Sequence, residues 1–258
     1  MKPIKLVSVL LAAGGSRRFN GVKLSCRLND GQSLLQRSIE QLQQGCRQFL
    51  AKQATGGLTP GIVSLPLTPS VIVPAARVSP AIALPVMASP VIASPIIVLT
   101  PLTVILGGHN ECLAPLLPQG TAYRLNPDWQ QGLSSSIRLA VKHALEHEAD
   151  ALLLALGDQV ALDASDYAAL LHCFLASVTP NRAKGGQTTA AFYRQSPGVP
   201  AIFLADDFAA LNQLSADKGA KAILVERHNR QQLQLLPLER GAIDIDTQIE
   251  LAQWLAGA

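Results

Sequence analysis

Apolar residues run from Ile4 to Ala12, punctuated only by Lys5 and Ser8, and Gly14-Gly15 ends the run. Such a stretch suits a strand buried on both faces of a parallel sheet. From Ser33 to Leu50 the spacing changes: Leu34, Leu35, Ile39 and Leu42 recur at helical intervals. Two further apolar runs read as strands, Leu102 to Leu106 before Gly107-Gly108 and Ala151 to Leu156 before Gly157-Asp158. Helical patterns cover Ser134 to Glu146, Asp166 to Leu175 and Asp206 to Leu214. Asp163 with Asp166, and Thr247 with Glu250, have the spacing of helix-capping boxes, the second opening a final helix that ends near Leu255. Strands alternating with helices predict βαβ units and a mostly parallel sheet covered on both faces.

Residues 52 to about 101 break this pattern. The stretch is rich in Pro, Val, Ile, Ala and Ser, and Arg77 is its only charge after Lys52. It carries a loose repeat, Val78-Ser79-Pro80-Ala81-Ile82-Ala83 and Ala88-Ser89-Pro90-Val91-Ile92-Ala93. Recurrent proline removes backbone donors and forbids a regular helix, so a membrane span, which needs about 20 apolar residues in a helix, does not fit. The expectation is a long extended insertion in a single domain spanning 1–258. Exposed apolar segments mark interfaces, which makes a contact with a second copy of the chain one use for it.

Composition narrows the classes. Only 15% of residues are charged against 48% hydrophobic, which supports a packed globule. The net charge of +3 comes from scattered Lys and Arg, and no basic block points to nucleic acid. Cys26, Cys46, Cys112 and Cys173 contain no C-x-x-C pair, so reduced thiols in a cytosol are the simplest reading. Met1 to Leu11 leads into a glycine loop and not a cleavage site, so it reads as a core strand and not as a signal peptide.

Three segments carry chemistry. In Leu11-Ala12-Ala13-Gly14-Gly15-Ser16, with Arg18 and Lys23 close behind, small residues after a buried strand let backbone N–H groups approach a polyphosphate while the cations neutralise it. No Gly-Lys-Ser/Thr follows, and the glycines lack the G-x-G-x-x-G spacing. The same residues also make an ordinary strand-to-loop turn. Gly157-Asp158-Gln159 places a carboxylate at the end of a buried strand, where open α/β sheets bind ligands and where magnesium finds one of the one or two carboxylates it prefers. A plain Gly-Asp turn has the same wording. Asn126-Pro127-Asp128-Trp129 followed by Gly132-Leu133-Ser134-Ser135-Ser136 offers hydroxyls and free N–H groups at a helix start, or simply caps that helix.

Taken together and in order, these segments resemble the MobA-like nucleotidyltransferase family, and within it the molybdenum cofactor cytidylyltransferase branch. The family loop L-A-A-G-x-S-x-R-M-G-x-x-K is matched by Leu11-Ala12-Ala13-Gly14, Ser16, Arg18 and Lys23. Its N-x-x-W-x-x-G-x-x-x-S segment is matched by Asn126, Trp129, Gly132 and Ser136, and its G-D-Q/M-P element by Gly157-Asp158-Gln159. Gly198-Val199-Pro200-Ala201-Ile202-Phe203, Asp217-Lys218-Gly219-Ala220 and Asp244-Ile245-Asp246-Thr247 look like its later elements. Phe19-Asn20 stands for Met-Gly and Val160 for Pro, and the insertion splits the first helix-to-strand link.

The resemblance implies a Rossmann-like three-layer α/β/α nucleotidyltransferase fold and a Mg2+-dependent transfer of a nucleoside monophosphate to a phosphorylated acceptor. The Ala12-Ala13-Gly14 wording points to CTP, and the branch to a molybdopterin-type acceptor and a molybdoenzyme recipient. Arg18, Lys23 and Asp158 are then the catalytic candidates. Leu11, Ala12, Ala13, Gly14, Gly15, Ser16, Ser134 and Ser135 are the nucleotide-binding ones. Asp158 and Asp246 (or Asp244) are the metal ligands, and residues 198–221 form the acceptor side. The rivals are a sugar-phosphate or isoprenoid-precursor cytidylyltransferase and a non-catalytic nucleotide-binding module. His143-Ala144-Leu145-Glu146-His147 has the H-x-x-E-H spacing of some zinc peptidases, but it ends a helix without an evident third ligand and reads as a solvated face.

Overall fold

The first apolar run forms β1 (Ile4–Ala12), and its side chains serve both faces of the sheet. Leu6, Leu10 and Ala12 enter one apolar cluster, Val7, Val9 and Leu11 the other, as the two-residue period of a strand requires. The computed structural model describes residues 2–16, 19, 21–55, 96–178, 186–216 and 218–257. After β1 come α1 (Leu34–Thr55), β2 (Ile97–Leu99), β3 (Thr103–Leu106), α2 (Asn110–Leu113), β4 (Ala122–Leu125), α3 (Leu133–Glu146), β5 (Ala151–Leu156) and α4 (Ala164–Ser177). The remaining elements are β6 (Thr188–Tyr193), β7 (Ser196–Leu204), α5 (Phe208–Asn212), α6 (Lys221–Asn229), β8 (Leu233–Pro237) and α7 (Gln248–Gly257).

The strands form a single sheet in the order β4-β3-β1-β5-β7-β6-β8, with β2 also paired to β1. Pairing is parallel except where β7 meets β5 and β6. Helices cover both faces. α1 brings Leu35, Ile39, Leu42 and Phe49, and α4 brings Leu170, Leu171 and Phe174, onto the face of Leu6 and Leu10. α3, α5 and α6 bring Ile137, Val141, Phe208, Leu211 and Leu224 onto the face of Val7 and Val9. Side chains such as Leu10 and Phe49, with no exposed surface, each stabilise the fold by about 1.5–3 kcal/mol. No helix among the described residues is long and apolar enough to cross a membrane.

Two predicted boundaries move. Residues 52–55 complete α1, and β2 pairs in parallel with Ile4–Leu6, so the proline-rich stretch is shorter at both ends than its composition predicts. Its middle, 56–95, lies outside the described residues, as does the repeat within it. Pro101, which has no N–H, separates β2 from β3 along the same edge of β1.

Both predicted capping boxes form. The Asp163 carboxylate accepts from the N–H groups of Ser165 and Asp166, and Asp166 accepts from Asp163 N–H. Glu250 Oε2 accepts from Thr247 N–H at 2.8 Å, and Thr247 Oγ1 from Glu250 N–H at 3.2 Å. Below β6, buried Asp207 accepts from Thr188 Oγ1 and from Arg227 Nε at 2.7 Å, tying β6, α5 and α6 together.

Topology locates the site. From β1 the chain moves outward to β3 and β4, then crosses back through α3 to β5 on the other side of β1. Such a switch point leaves a crevice beyond the carboxyl ends of the strands. Ala12 pairs with Leu106, and Leu11 with Leu156, so the loops after β1, β3 and β5 leave the sheet at one edge.

Candidate active site

A cavity of about 370 Å3 opens at that edge. It is lined by Leu11 to Ser16, by Lys23 and Asp158, by Trp129 and Ser136, and by Asp246 from the far end of the chain.

The loop after β1 is shaped from outside. Ser16 adopts a left-handed backbone, φ 48°, and its carbonyl accepts from Phe19 N–H at 3.0 Å. Phe19, in the place of the family Met, is buried and anchors the turn in the core. Gly15 lies against the Trp129 indole, where an added Cβ would stand 2.8 Å from Cζ3. Gly108, after β3, approaches the same indole, with a Cβ there 2.7 Å from Cη2. Gly15 on one loop and Gly107 and Gly108 on the other therefore form a slot for one tryptophan. His109 Nε2 lies 3.2 Å from the Gly15 carbonyl and ties the two loops again. His109 stands just before α2, and it also braces the glycine loop. By contrast, nothing comes within 4 Å of a Cβ placed on Gly14.

The charged groups meet on the cavity floor. Lys23 Nζ donates to Asp158 Oδ2 at 2.7 Å and to Asp246 Oδ1 at 3.3 Å. The lysine is 8% exposed, whereas the two carboxylates keep 29% and 24% of their side-chain surface open. Asp158 is placed by β5: Gly157 N–H donates to Leu11 O at 3.0 Å, and Gly157 O accepts from Ser38 Oγ at 2.8 Å. Asp246 stands at the start of α7, its N–H donating to Glu250 Oε2 at 2.8 Å. Asp244, the alternative to Asp246, faces away toward Arg194, 3.7 Å distant. Arg18 lies outside the described residues.

The serines divide. Ser136 lines the cavity, but Ser134 and Ser135 do not. Their hydroxyls are used inside the fold: Ser134 Oγ accepts from Arg138 at 3.2 Å, and Ser135 Oγ donates to Gly132 O at 2.8 Å. Asn126 Nδ2 donates to both Ser135 and Ser136, at 2.8 and 2.9 Å. The expectation that Ser134 and Ser135 face the ligand therefore gives way to a framing role, because buried hydroxyls need partners and the fold supplies them. Among residues 198–221 none lines the cavity, and Asp217 lies outside the described residues. Trp129 is the lining residue that motif matching alone left without a role. With two tryptophans and four Gly-Gly pairs in the sequence, no spacing singled this contact out.

Gln159, next to Asp158, is buried and donates from Nε2 to Val199 O at 2.8 Å and Gly241 O at 2.9 Å. It links the end of β5 to the segment that carries Asp246. His143, expected on a solvated helix face, is instead buried, with its ring 4.3 Å from that of His147. Burial, followed by the charges of His147 and Arg124, lowers its pKa to about 4. Among the described residues no cluster of three or more His, Cys, Asp or Glu could hold a metal, so the zinc-peptidase spacing leads nowhere.

Asp158 and Asp246 suit a magnesium-type ion for a different reason. Two carboxylates converge within contact distance of one cation, partly open to the cavity, and that ion takes one or two carboxylates and completes its shell with phosphate oxygens and water.

Comparison with known proteins follows the same direction. The sequence profile of the MobA-like NTP transferase domain matches residues 83–232. By sequence, no curated protein matches the chain significantly. Among solved structures, Rv0371c from Mycobacterium tuberculosis H37Rv superposes with a TM-score of 0.63 at 19% identity, over 99% of this chain and 100% of that one. The same protein in complex with manganese gives 0.59 at 16% identity, over 99% and 100%. The 4-diphosphocytidyl-2C-methyl-D-erythritol synthase of Anaerococcus prevotii gives 0.58 at 10% identity, over 98% and 96%. At these identities the likeness is one of fold.

Proposed function

Because the chain belongs to the family of MobA-like NTP transferase domains, and is thus a nucleotidyltransferase, we propose that it moves CMP from CTP to a phosphorylated acceptor of the molybdenum cofactor type. The observation that carries the reading is the meeting of Lys23, Asp158 and Asp246 beneath the glycine loop, in a cavity at the switch point of the sheet. Support for cytidine comes from the Ala12-Ala13-Gly14 wording of the loop and from a cytidylyl-transferring enzyme among the structures of like fold. The manganese complex of Rv0371c supports a divalent ion, here Mg2+.

In this reading the backbone of Ala13 to Ser16 holds the triphosphate, since no side chain obstructs Gly14. Leu11 and Ala12 form the floor under the nucleoside, with Ser136 and Trp129 as its flank. An acceptor phosphate oxygen attacks the α-phosphorus in line, the new P–O bond forms, and the bond to pyrophosphate breaks with its electron pair going to the leaving group. The protein supplies position and charge more than covalent chemistry. Asp158 and Asp246 would hold Mg2+, which when bound screens the charge on the phosphates. Lys23 and Arg18 neutralise the departing pyrophosphate.

The test is pyrophosphate release with Mg2+ and each of CTP, GTP, ATP and UTP, with and without molybdopterin-type cofactor. Release with CTP that depends on the cofactor is the expected outcome. Release with a different nucleotide, or only with a sugar phosphate or a methylerythritol phosphate, refutes the substrate. Nucleotide binding without release under any condition refutes the transferase reading of this chain.

A further inference from the structure

We propose that Lys23 is a built-in occupant of the cation position between Asp158 and Asp246, and yields it when a divalent ion arrives together with a triphosphate. The inference rests on the reading of those two carboxylates as the metal ligands. A divalent ion bound to both must sit about 2.0–2.1 Å from an oxygen of each, and so between them. The Lys23 ammonium already spans that gap, at 2.7 Å from Asp158 and 3.3 Å from Asp246. Two cations do not share such a gap, so one is exchanged for the other.

The charge count shows what drives the exchange. Among these three side chains, Lys23 in place leaves one net negative charge, a weaker attraction for a free dication. With the lysine withdrawn the two carboxylates offer two. The withdrawn ammonium is nearly buried, however, and a buried charge needs a counter-ion. Among the described residues lining the cavity, Asp158 and Asp246 are the only acids, so none of the others offers the ammonium a second seat. A triphosphate on the adjoining glycine loop does. Metal and nucleotide therefore favour each other's binding, and Lys23 is the element that couples them; by linkage the effect is reciprocal. A bare metal ion is held poorly, and between turnovers Lys23 balances one of the two carboxylate charges.

The experiment measures Mn2+ binding to the protein alone, from the loss of the free-ion electron paramagnetic resonance signal, and again with saturating α,β-methylene-CTP. Wild type, Lys23→Met and Asp158→Asn are compared, with Lys23→Gln replacing Lys23→Met if the latter does not fold. Lys23→Met is expected to bind Mn2+ alone about tenfold more tightly than wild type, and the nucleotide analogue to raise Mn2+ affinity about tenfold more in wild type than in the variant. Equal or weaker binding by the Lys23 variant, with Asp158→Asn binding no Mn2+, overturns the exchange and leaves the metal assignment standing. Undiminished Mn2+ binding by Asp158→Asn overturns both.

Discussion

Gly14→Ala separates a loop built for a ligand from a loop that merely turns. In the free protein a Cβ at Gly14 meets nothing within 4 Å, and the residue does not adopt a left-handed backbone. Folding stability should therefore stay within about 0.5 kcal/mol of wild type. The cost falls on the complex. A methyl group over the loop keeps a phosphate oxygen from reaching a backbone N–H at about 2.9 Å, and a hydrogen bond to a charged group is worth about 1.5–3 kcal/mol. At 1.4 kcal/mol for each factor of ten, CTP binding should weaken about ten- to hundredfold. Gly107→Ala is the internal contrast. Its Cβ would stand 2.5 Å from the Ala13 carbonyl oxygen and 2.8 Å from Trp129 Cβ, neither of them the yielding end of a side chain. That overpacking should cost about 1–3 kcal/mol of stability. Urea unfolding reads the first quantity and titration calorimetry with CTP the second. If Gly14→Ala binds CTP as well as wild type does, the loop is only a turn and the phosphate role of Ala13 to Ser16 is wrong.

Other consequences can be checked singly. Asp158→Asn should fold normally and lose metal-dependent turnover by at least about a hundredfold; steady-state rates near wild type at saturating Mg2+ would remove it from the mechanism. Asp207→Ala should cost about 1–3 kcal/mol, since it removes the buried acceptor of the Thr188 hydroxyl and of Arg227 Nε while Arg227 keeps Gln232, and an unfolding free energy in urea within about 0.5 kcal/mol of wild type would contradict this. Stability should fall as pH drops from about 6.5 toward 4, because the unfolded chain takes up a proton that the folded His143 refuses, its pKa being lowered to about 4. The slope is at most about 1.4 kcal/mol per pH unit, less where water reaches the helix end, and absent above that window. His143→Leu should flatten it, and an unchanged acid limb would assign the loss elsewhere.

The strands that carry the cavity loops were legible because period and function coincide there. β1 and β5 are continuous apolar runs, each stopped by glycine at the edge where the site lies, so one signal marks both strand and loop. β6 and β7 were hidden for physical reasons. Their hairpin turns through Arg194 and Gln195, both with positive φ (47° and 56°) and neither the glycine or asparagine that announces such a turn. Pro197 and Pro200 also argue against an inner strand. The strand tolerates them because the β6 register shifts between Ala190 and Ala191, which puts Val199 and Pro200 outside the ladder, and because pairing with β5 begins only at Ala201. Asp158 and Asp246 stood out by type, and the fold brings both to Lys23. Of the three-serine run only Ser136 lines the cavity, because a hydroxyl's direction depends on Asn126, which sequence spacing does not orient.

The arrangement has an unequal architecture. The glycine loop and Asp158 rest on adjacent parallel strands, Leu11 paired with Leu156, and move only if the sheet moves. Asp246 has a different footing. It comes from a coil before α7, between Ile245, which is buried in the core, and the helix start where Glu250 accepts from its N–H, and polar links upstream hold the same segment. Arg240 bridges to Asp166 at 2.9 Å and to Asp163, Gln159 grips Gly241 O, and Arg194 reaches Ala242 O and Asp244. Links between exposed charges are individually worth about a kilocalorie or less, whereas the strand pairing under Asp158 lies in a dry core. Asp246 therefore rests on loop and helix-end contacts, where Asp158 rests on the sheet. The carboxylate with the longer bond to Lys23, 3.3 Å against 2.7 Å, is the one carried outside the sheet. Strand support at Asp158 and loop support at Asp246 fit an exchange that starts from the Asp246 side.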